Sequence, residues 1–191
     1  MRYDNVIPPP TELRIHSRGR LPHWRVDHAV YFITFRLRDS LPVHIADKLY
    51  RERLDGLRRC RNGVDRARVD EEFGLRLDSY LDQHWGSAIL RQHGELVAGA
   101  LKFFDRDRYE LHAWCVMPNH VHVMFYVDRG DDVPRILHSW KSYTAHEIGR
   151  KVWQREYFDR IVRSPRELES TAGYIRANPG KAGLENWRWV G

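Results

Sequence analysis

The chain has little sulfur, with two cysteines and three methionines in 191 residues. Cys60 and Cys115 stand far apart with no Cys-x-x-Cys spacing. That argues against a zinc–thiolate site or a disulfide framework and fits a reducing compartment. No apolar run approaches the roughly 20 residues a bilayer-spanning helix requires, and no apolar leader segment follows the N-terminus. Internal repeats and low-complexity blocks are also lacking. The expectation from these absences is a globular, cytoplasmic protein.

Positive charge and aromatic rings are plentiful. The 32 Lys and Arg outnumber the 26 Asp and Glu, for a formal net charge of +6, and aromatic residues make up 12% of the chain. This balance favours an anionic partner such as nucleic acid, since rings beside arginines can stack on bases. With 42% hydrophobic residues, the chain can build one substantial core. Residues 28–184 form the expected domain. A basic arm over residues 1–27 precedes it, with Pro8-Pro9-Pro10 and Arg14, Arg18, Arg20 and Arg25, and a tail over residues 185–191 follows.

Residues 28–38 are rich in β-branched and aromatic side chains on both faces and predict a central strand. Residues 43–61 have an amphipathic helical pattern, and residues 69–84 look like a second helical piece. A third helix is expected after Gly86, with Ser87 as its cap, running to about residue 104. Two strands follow, over residues 109–117 and 120–127. Asp132 can cap a helix over residues 133–151, and residues 156–162 suggest a last strand. Ser164-Pro-Arg-Glu167 is a capping-box pattern with proline at the first helical position. It predicts a helix over residues 165–177, stopped by Asn178-Pro179-Gly180. The order strand, helix, strand, strand, helix, strand is the α+β split βαβ of ferredoxin-like folds, with an antiparallel sheet whose first and third strands are central.

The third strand opens with His120-Val-His122. Side chains alternate along a strand, so both imidazoles point the same way and offer a clamp for a divalent metal. Such a pair is also common as polar decoration beside a turn, so its surroundings decide. On the helix over residues 133–151, at about 100° per residue, Ile136, Trp140, Tyr143 and Glu147 share one arc. A carboxylate in an inward stripe is costly unless paired. A metal shared with the two histidines would resolve the conflict, and so would an arginine partner for Glu147. His146 competes as third ligand. Three protein ligands with open positions would suit catalysis.

Four ordered segments carry a resemblance: Met117-Pro-Asn-His-Val-His122, Trp140-Lys-Ser-Tyr-Thr-Ala145, Trp153-Gln-Arg-Glu-Tyr-Phe-Asp-Arg160 and Tyr174-Ile-Arg-Ala-Asn-Pro-Gly-Lys-Ala-Gly-Leu184. Together they resemble the REP-associated tyrosine transposases, a bacterial branch of the single-tyrosine HUH nucleases, over about residues 24–184. Gly180 stands where that family usually has valine. The resemblance implies a DNA transposase and single-strand endonuclease that cuts and rejoins single-stranded DNA at hairpin-bearing palindromic repeats. It also implies Mg²⁺ or Mn²⁺ as cofactor and a nucleoid-associated protein. His120 and His122 would be the metal pair, Tyr143 the nucleophile forming a 5′-phosphotyrosine bond, and Glu147 would match the variable third-ligand position. Arg155, Arg160 and Arg163, interleaved with Trp153, Tyr157 and Phe158, are the candidate DNA surface, with Lys141 as a further phosphate contact.

Two other readings stay open. One is a non-catalytic nucleic-acid-binding module on the same scaffold. The other is a metal phosphodiesterase with water as nucleophile and Tyr143 as packing. A monomer is favoured slightly over a homodimer, because no strongly apolar exposed helix stands out.

Overall fold

A computed structural model describes residues 14–17, 22–83, 85–128 and 132–191. Eleven elements follow one another among them: β1 (Arg14–Ser17), β2 (Pro22–Arg25), β3 (Ala29–Leu37), α1 (Val43–Arg59), α2 (Gly63–Leu81), α3 (Leu90–Phe103), β4 (Glu110–Val116), β5 (His120–Val127), α4 (Val133–Ile148), β6 (Trp153–Val162) and α5 (Pro165–Lys181).

The main sheet has the order β4-β5-β3-β6 and every pairing in it is antiparallel. This is the expected ferredoxin-like arrangement, with β3 and β5 central. The β3-to-β4 crossover holds three helices where the split βαβ unit needs one. Nine consecutive residues of β3 are buried, because helices cover both faces of the sheet.

Strand alternation divides the core in two. Ile33, Phe35, Val121, Val123 and Phe125 pack with α3 and α4. Val30, Phe32, Met124 and Phe158 pack with α1, α2 and α5. Any side chain of β5 therefore belongs to one helical layer or the other, and its parity in sequence decides which.

The local signals explain most boundaries. Asp132 accepts a hydrogen bond from the Arg135 amide at 2.8 Å, and the Ser164 hydroxyl accepts one from Glu167 at 3.1 Å. Ser87 is not the cap of α3: its amide donates to Asp39 at 2.8 Å, and the helix begins at Leu90. The second helix starts six residues before the expected 69, at Gly63, where Asn62 caps it. Asn178-Pro179-Gly180 does not stop α5, which runs to Lys181 with Pro179 inside it. Proline there forfeits one donor near the helix end, where the chain is about to leave the helix anyway.

Of the expected N-terminal arm, the described parts form a two-stranded antiparallel hairpin, β1 with β2; residues 1–13 and 18–21 lie outside the described residues. The expected tail is a strap along the free edge of β4. Gly191 and Trp114 exchange two backbone bonds of 2.9 and 3.0 Å, and the Trp189 carbonyl accepts from Val116 at 2.9 Å. A paired edge of this kind hides the unpaired ladder that edge strands otherwise present. Among the described residues no helix is long and apolar enough to cross a membrane.

Candidate active site

β4 and β5 meet in a tight turn at Pro118 and Asn119, closed by the Met117 amide donating to the His120 carbonyl at 2.9 Å. Asn119 has no exposed surface. Its amide nitrogen donates to the carbonyls of Leu81 and Trp85 at 3.0 and 3.3 Å, which fixes which way the group faces. The amide oxygen then accepts from His120 Nδ1 at 2.7 Å. With its proton on Nδ1, His120 presents a lone pair on Nε2.

His122 is held in the same way. Its Nδ1 lies 2.9 Å from the Thr34 hydroxyl on the neighbouring strand, and its ring stacks on Phe32 at 5.7 Å. Burial lowers its pKa to about 4 against an opposing push from Asp82, so the imidazole is neutral at ordinary pH. The two Nε2 atoms are 3.0 Å apart. Two nitrogens each about 2.1 Å from one ion and about 90° apart at it would be separated by that distance. The pair therefore fits the expected metal, and each ring has the outer partner that ligating histidines use.

The residues on the same face are not those the helix over 133–151 suggested. His122 meets Tyr174 of α5, with ring centroids 5.9 Å apart. The Tyr174 hydroxyl donates to Asp78 Oδ2, and Asp78 Oδ1 is 3.8 Å from His122 Nε2. One turn beyond Tyr174, the Asn178 side chain is 2% exposed and its oxygen has no hydrogen-bond partner. Burial raises the Asp78 carboxyl to about 7, while the Tyr174 hydrogen bond and Arg160 pull it down. Burial, and then the Asp78 charge, raise the Tyr174 hydroxyl above the ordinary phenol. Cys115, opposite His122 in the sheet, is an inert thiol, pushed up to about 12 mainly by burial.

Tyr143 and Glu147 are corrected by this geometry. α4 packs on the other face of the sheet, where Trp140 lies 5.2 Å from Phe125 and 6.2 Å from Phe35. Its buried stripe is Val133, Ile136, Leu137, Trp140 and Thr144. Tyr143, at the margin of that stripe, is 52% exposed beside Phe103 and Phe104 at the end of α3. Glu147 has the right phase, yet it lies in the last turn before the left-handed Gly149 and is exposed, as is His146. The sheet separates all three from the histidines.

The basic residues also divide. Lys141 donates to the carbonyls of Gln154 and Arg155 at 3.0 and 3.3 Å, a strut between α4 and β6 rather than a free phosphate contact. Arg155 lines a groove on the α4 side with Lys141 and Tyr157, and Arg163 is exposed beyond β6. Arg160 alone reaches the site, lining a cleft of about 180 Å³ with Asp78 and Tyr174. It is held there by Glu167, by the Thr171 hydroxyl at 2.9 Å and over the Phe32 ring.

Tyr174, Asn178, Asp78, Asn119 and Thr34 are not among the site residues expected from the sequence. A signal for two of them was present: Tyr174 and Asn178 are four apart, and Asn178 falls on the inward stripe with Leu168, Thr171 and Ile175. Among the described residues no three His, Cys, Asp or Glu side chains are grouped closely enough to hold a metal as they stand. The histidine pair is preformed, and any third donor has to turn towards it.

Residues 91–178, which contain both histidines, Tyr174 and Asn178, match the family model described as "Transposase IS200 like". The segment that builds most of this site is thus similar to IS200-like transposases. More particularly, the chain is 31% identical over 102 residues to the REP-associated tyrosine transposase of Escherichia coli (strain K12), a match covering 51% of this chain and 61% of that protein. The fold matches a solved REP-associated tyrosine transposase bound to a REP hairpin, with a TM-score of 0.56 at 20% identity, over 88% of this chain and 76% of the other.

Proposed function

We propose that this chain is a metal-dependent transposase that cleaves and rejoins hairpin-bearing single-stranded DNA, with Tyr174 as the nucleophile. The observation that carries the reading is the position of Tyr174, whose ring meets His122 and whose hydroxyl donates to Asp78 beside the cleft that Arg160 lines. The E. coli relative and the solved neighbour with its REP hairpin support a hairpin-bearing DNA partner. Such an activity would operate at the nucleoid.

Mg²⁺ or Mn²⁺ held by His120 and His122 would neutralise charge developing on the scissile phosphate. Tyr174 oxygen attacks phosphorus, the bond to the departing 3′ oxygen breaks, and the chain keeps the 5′ end as a phosphotyrosine. A 3′-OH from another strand reverses the step, so joining needs no external energy source. Asp78 already accepts the Tyr174 hydroxyl hydrogen and stands where that proton leaves. Because burial and Asp78 hold Tyr174 in its protonated form, a nearby cation is what would make the phenolate accessible. Arg160, at the cleft wall, would meet a non-bridging phosphate oxygen through guanidinium donors that Glu167 and Thr171 leave free. Tyr174 and both histidines belong to one chain, which supports action as a monomer.

The test is covalent capture on denaturing gels, with labelled hairpin-bearing single strands and either Mn²⁺ or EDTA. A metal-dependent adduct should form, disappear in Tyr174→Phe and persist in Tyr143→Phe. The opposite pattern would return the nucleophile to α4. Cleavage without adduct in both variants would indicate a water nucleophile.

A further inference from the structure

Two imidazoles, even joined by the unpartnered amide oxygen of Asn178, would give a hard divalent cation no negative ligand, although Mg²⁺ and Mn²⁺ favour carboxylate oxygen. A buried carboxylate within 3.8 Å of His122 Nε2, that of Asp78, comes from α2, outside the segment that matches the transposase family. α2 turns two buried aspartates inward, and they are treated differently. Asp70 has Arg53, with Nε and Nη2 at 2.9 and 2.8 Å from Oδ1. Asp78 is 7% exposed, takes one hydrogen bond on Oδ2 from Tyr174, and leaves Oδ1 with no hydrogen-bond partner. Arg160 acts on it electrostatically, but that guanidinium is engaged by Glu167 and Thr171.

We infer that Asp78 is a ligand of the catalytic cation, binding through Oδ1 while Oδ2 holds the Tyr174 hydroxyl, so that one carboxylate bridges metal and nucleophile. The inference rests on the metal-binding reading of His120 and His122. Neighbouring donors on one ion lie about 3 Å apart. Asp78 Oδ1, at 3.8 Å from His122 Nε2, needs to advance by under about 1 Å, within reach of a small side-chain rotation.

The rest of the fold places this carboxylate firmly. Phe73 packs on Phe158 at 5.3 Å and on Tyr50 at 5.9 Å, tying α2 to both β6 and α1. Gly74, one turn before Asp78, lets the helix approach Phe158, since a Cβ there would meet that ring at 3.2 Å. The helices added to the crossover thus deliver a carboxylate to the histidine pair from outside the matched segment.

The experiment is titration of the full chain with Mn²⁺ alone, reading free ion by electron paramagnetic resonance, with no DNA present. Asp78→Asn keeps an acceptor for Tyr174 and removes the charge; affinity should fall at least about tenfold, in the range seen when a metal's supporting shell is cut. Tyr174→Phe frees Oδ2 and should tighten Mn²⁺ about twofold to tenfold, the worth of one hydrogen bond. That variant reports on Asp78 even where Asp78→Asn folds poorly. If both variants bind as the unaltered chain does while His122→Ala loses the ion, the Asp78 inference is overturned and the histidine site stands. If His122→Ala binds Mn²⁺ as the unaltered chain does, the metal-site reading fails and the inference falls with it.

Discussion

Asn119→Ala tests how the histidine clamp is set. Asn119 is absent from the non-glycine residues with left-handed backbone, so alanine fits its backbone and only the side-chain bonds are lost. Those bonds are three: the donations to the Leu81 and Trp85 carbonyls, and the acceptance from His120 Nδ1. All lie at a fully buried position, where stranding the partners costs more than the net value of a bond. Taking about 1 kcal/mol for each, the change should destabilise the fold by about 2–4 kcal/mol. For a domain of this size that lowers Tm by about 4–16 °C. His120 also loses the acceptor that keeps its proton on Nδ1, so its Nε2 lone pair is no longer guaranteed. Mn²⁺ affinity should drop about 10- to 100-fold. Differential scanning calorimetry reads the first effect, and Mn²⁺ titration at a temperature below the new Tm reads the second. Unchanged Mn²⁺ affinity in a chain that loses the ion on His120→Ala would refute the claim that Asn119 sets the donor.

Other outcomes follow from single contacts. Arg53→Met strands Asp70 in the interior, so urea unfolding should show a loss of about 3–5 kcal/mol, while Arg53→Met with Asp70→Leu recovers much of it. Burial lowers Lys141 to about 8, so between pH 8 and its unfolded value the unfolded chain holds more protons and stability rises with pH. Lys141→Met should remove that rise, read as the difference between the two chains in chemical melts across this window. A Cβ at Gly94 would meet the Trp189 indole at 2.4 Å; Gly94→Ala should cost about 1–3 kcal/mol by overpacking, measured as a lower Tm, with hydrogen exchange quickening along β4.

The strand order, the central position of the histidines and the helix starts at Asp132 and Ser164 were legible because each has a local cause. Alternation gives the shared face of His120 and His122, and side-chain caps mark where helices begin. The identity of the helix opposite them was not legible in the same way. A sheet has two faces, and a stripe on α4 says that the helix packs inward without saying onto which face. The decision rests on odd and even positions of β5, since Val121, Val123 and Phe125 take α4 and leave the even positions to α2 and α5. Asp78 was harder still, because its role depends on a helix that approaches from 42 residues before His120. Glu147 shows the limit of angular phase alone: a residue can have the right angle and still stand beyond the surface it would face.

The Trp140-to-Ala145 motif, read as catalytic, has a structural account that fits its residue types better. Trp140 Nε1 donates to the Tyr109 hydroxyl at 2.9 Å, and Tyr109 donates to the Leu101 carbonyl at 2.8 Å. Trp153 Nε1 donates to the Thr144 hydroxyl at 2.8 Å, and Lys141 ties to the first residues of β6. These bonds join α3, α4 and β6 on the apolar side of the sheet that α3 and α4 cover. A close-packed layer transmits displacement poorly tolerated by its neighbours, and β5 is common to both sides. The apolar face therefore fixes the strand whose opposite face carries the 3.0 Å histidine pair. One side of β5 sets the geometry, and the other side uses it.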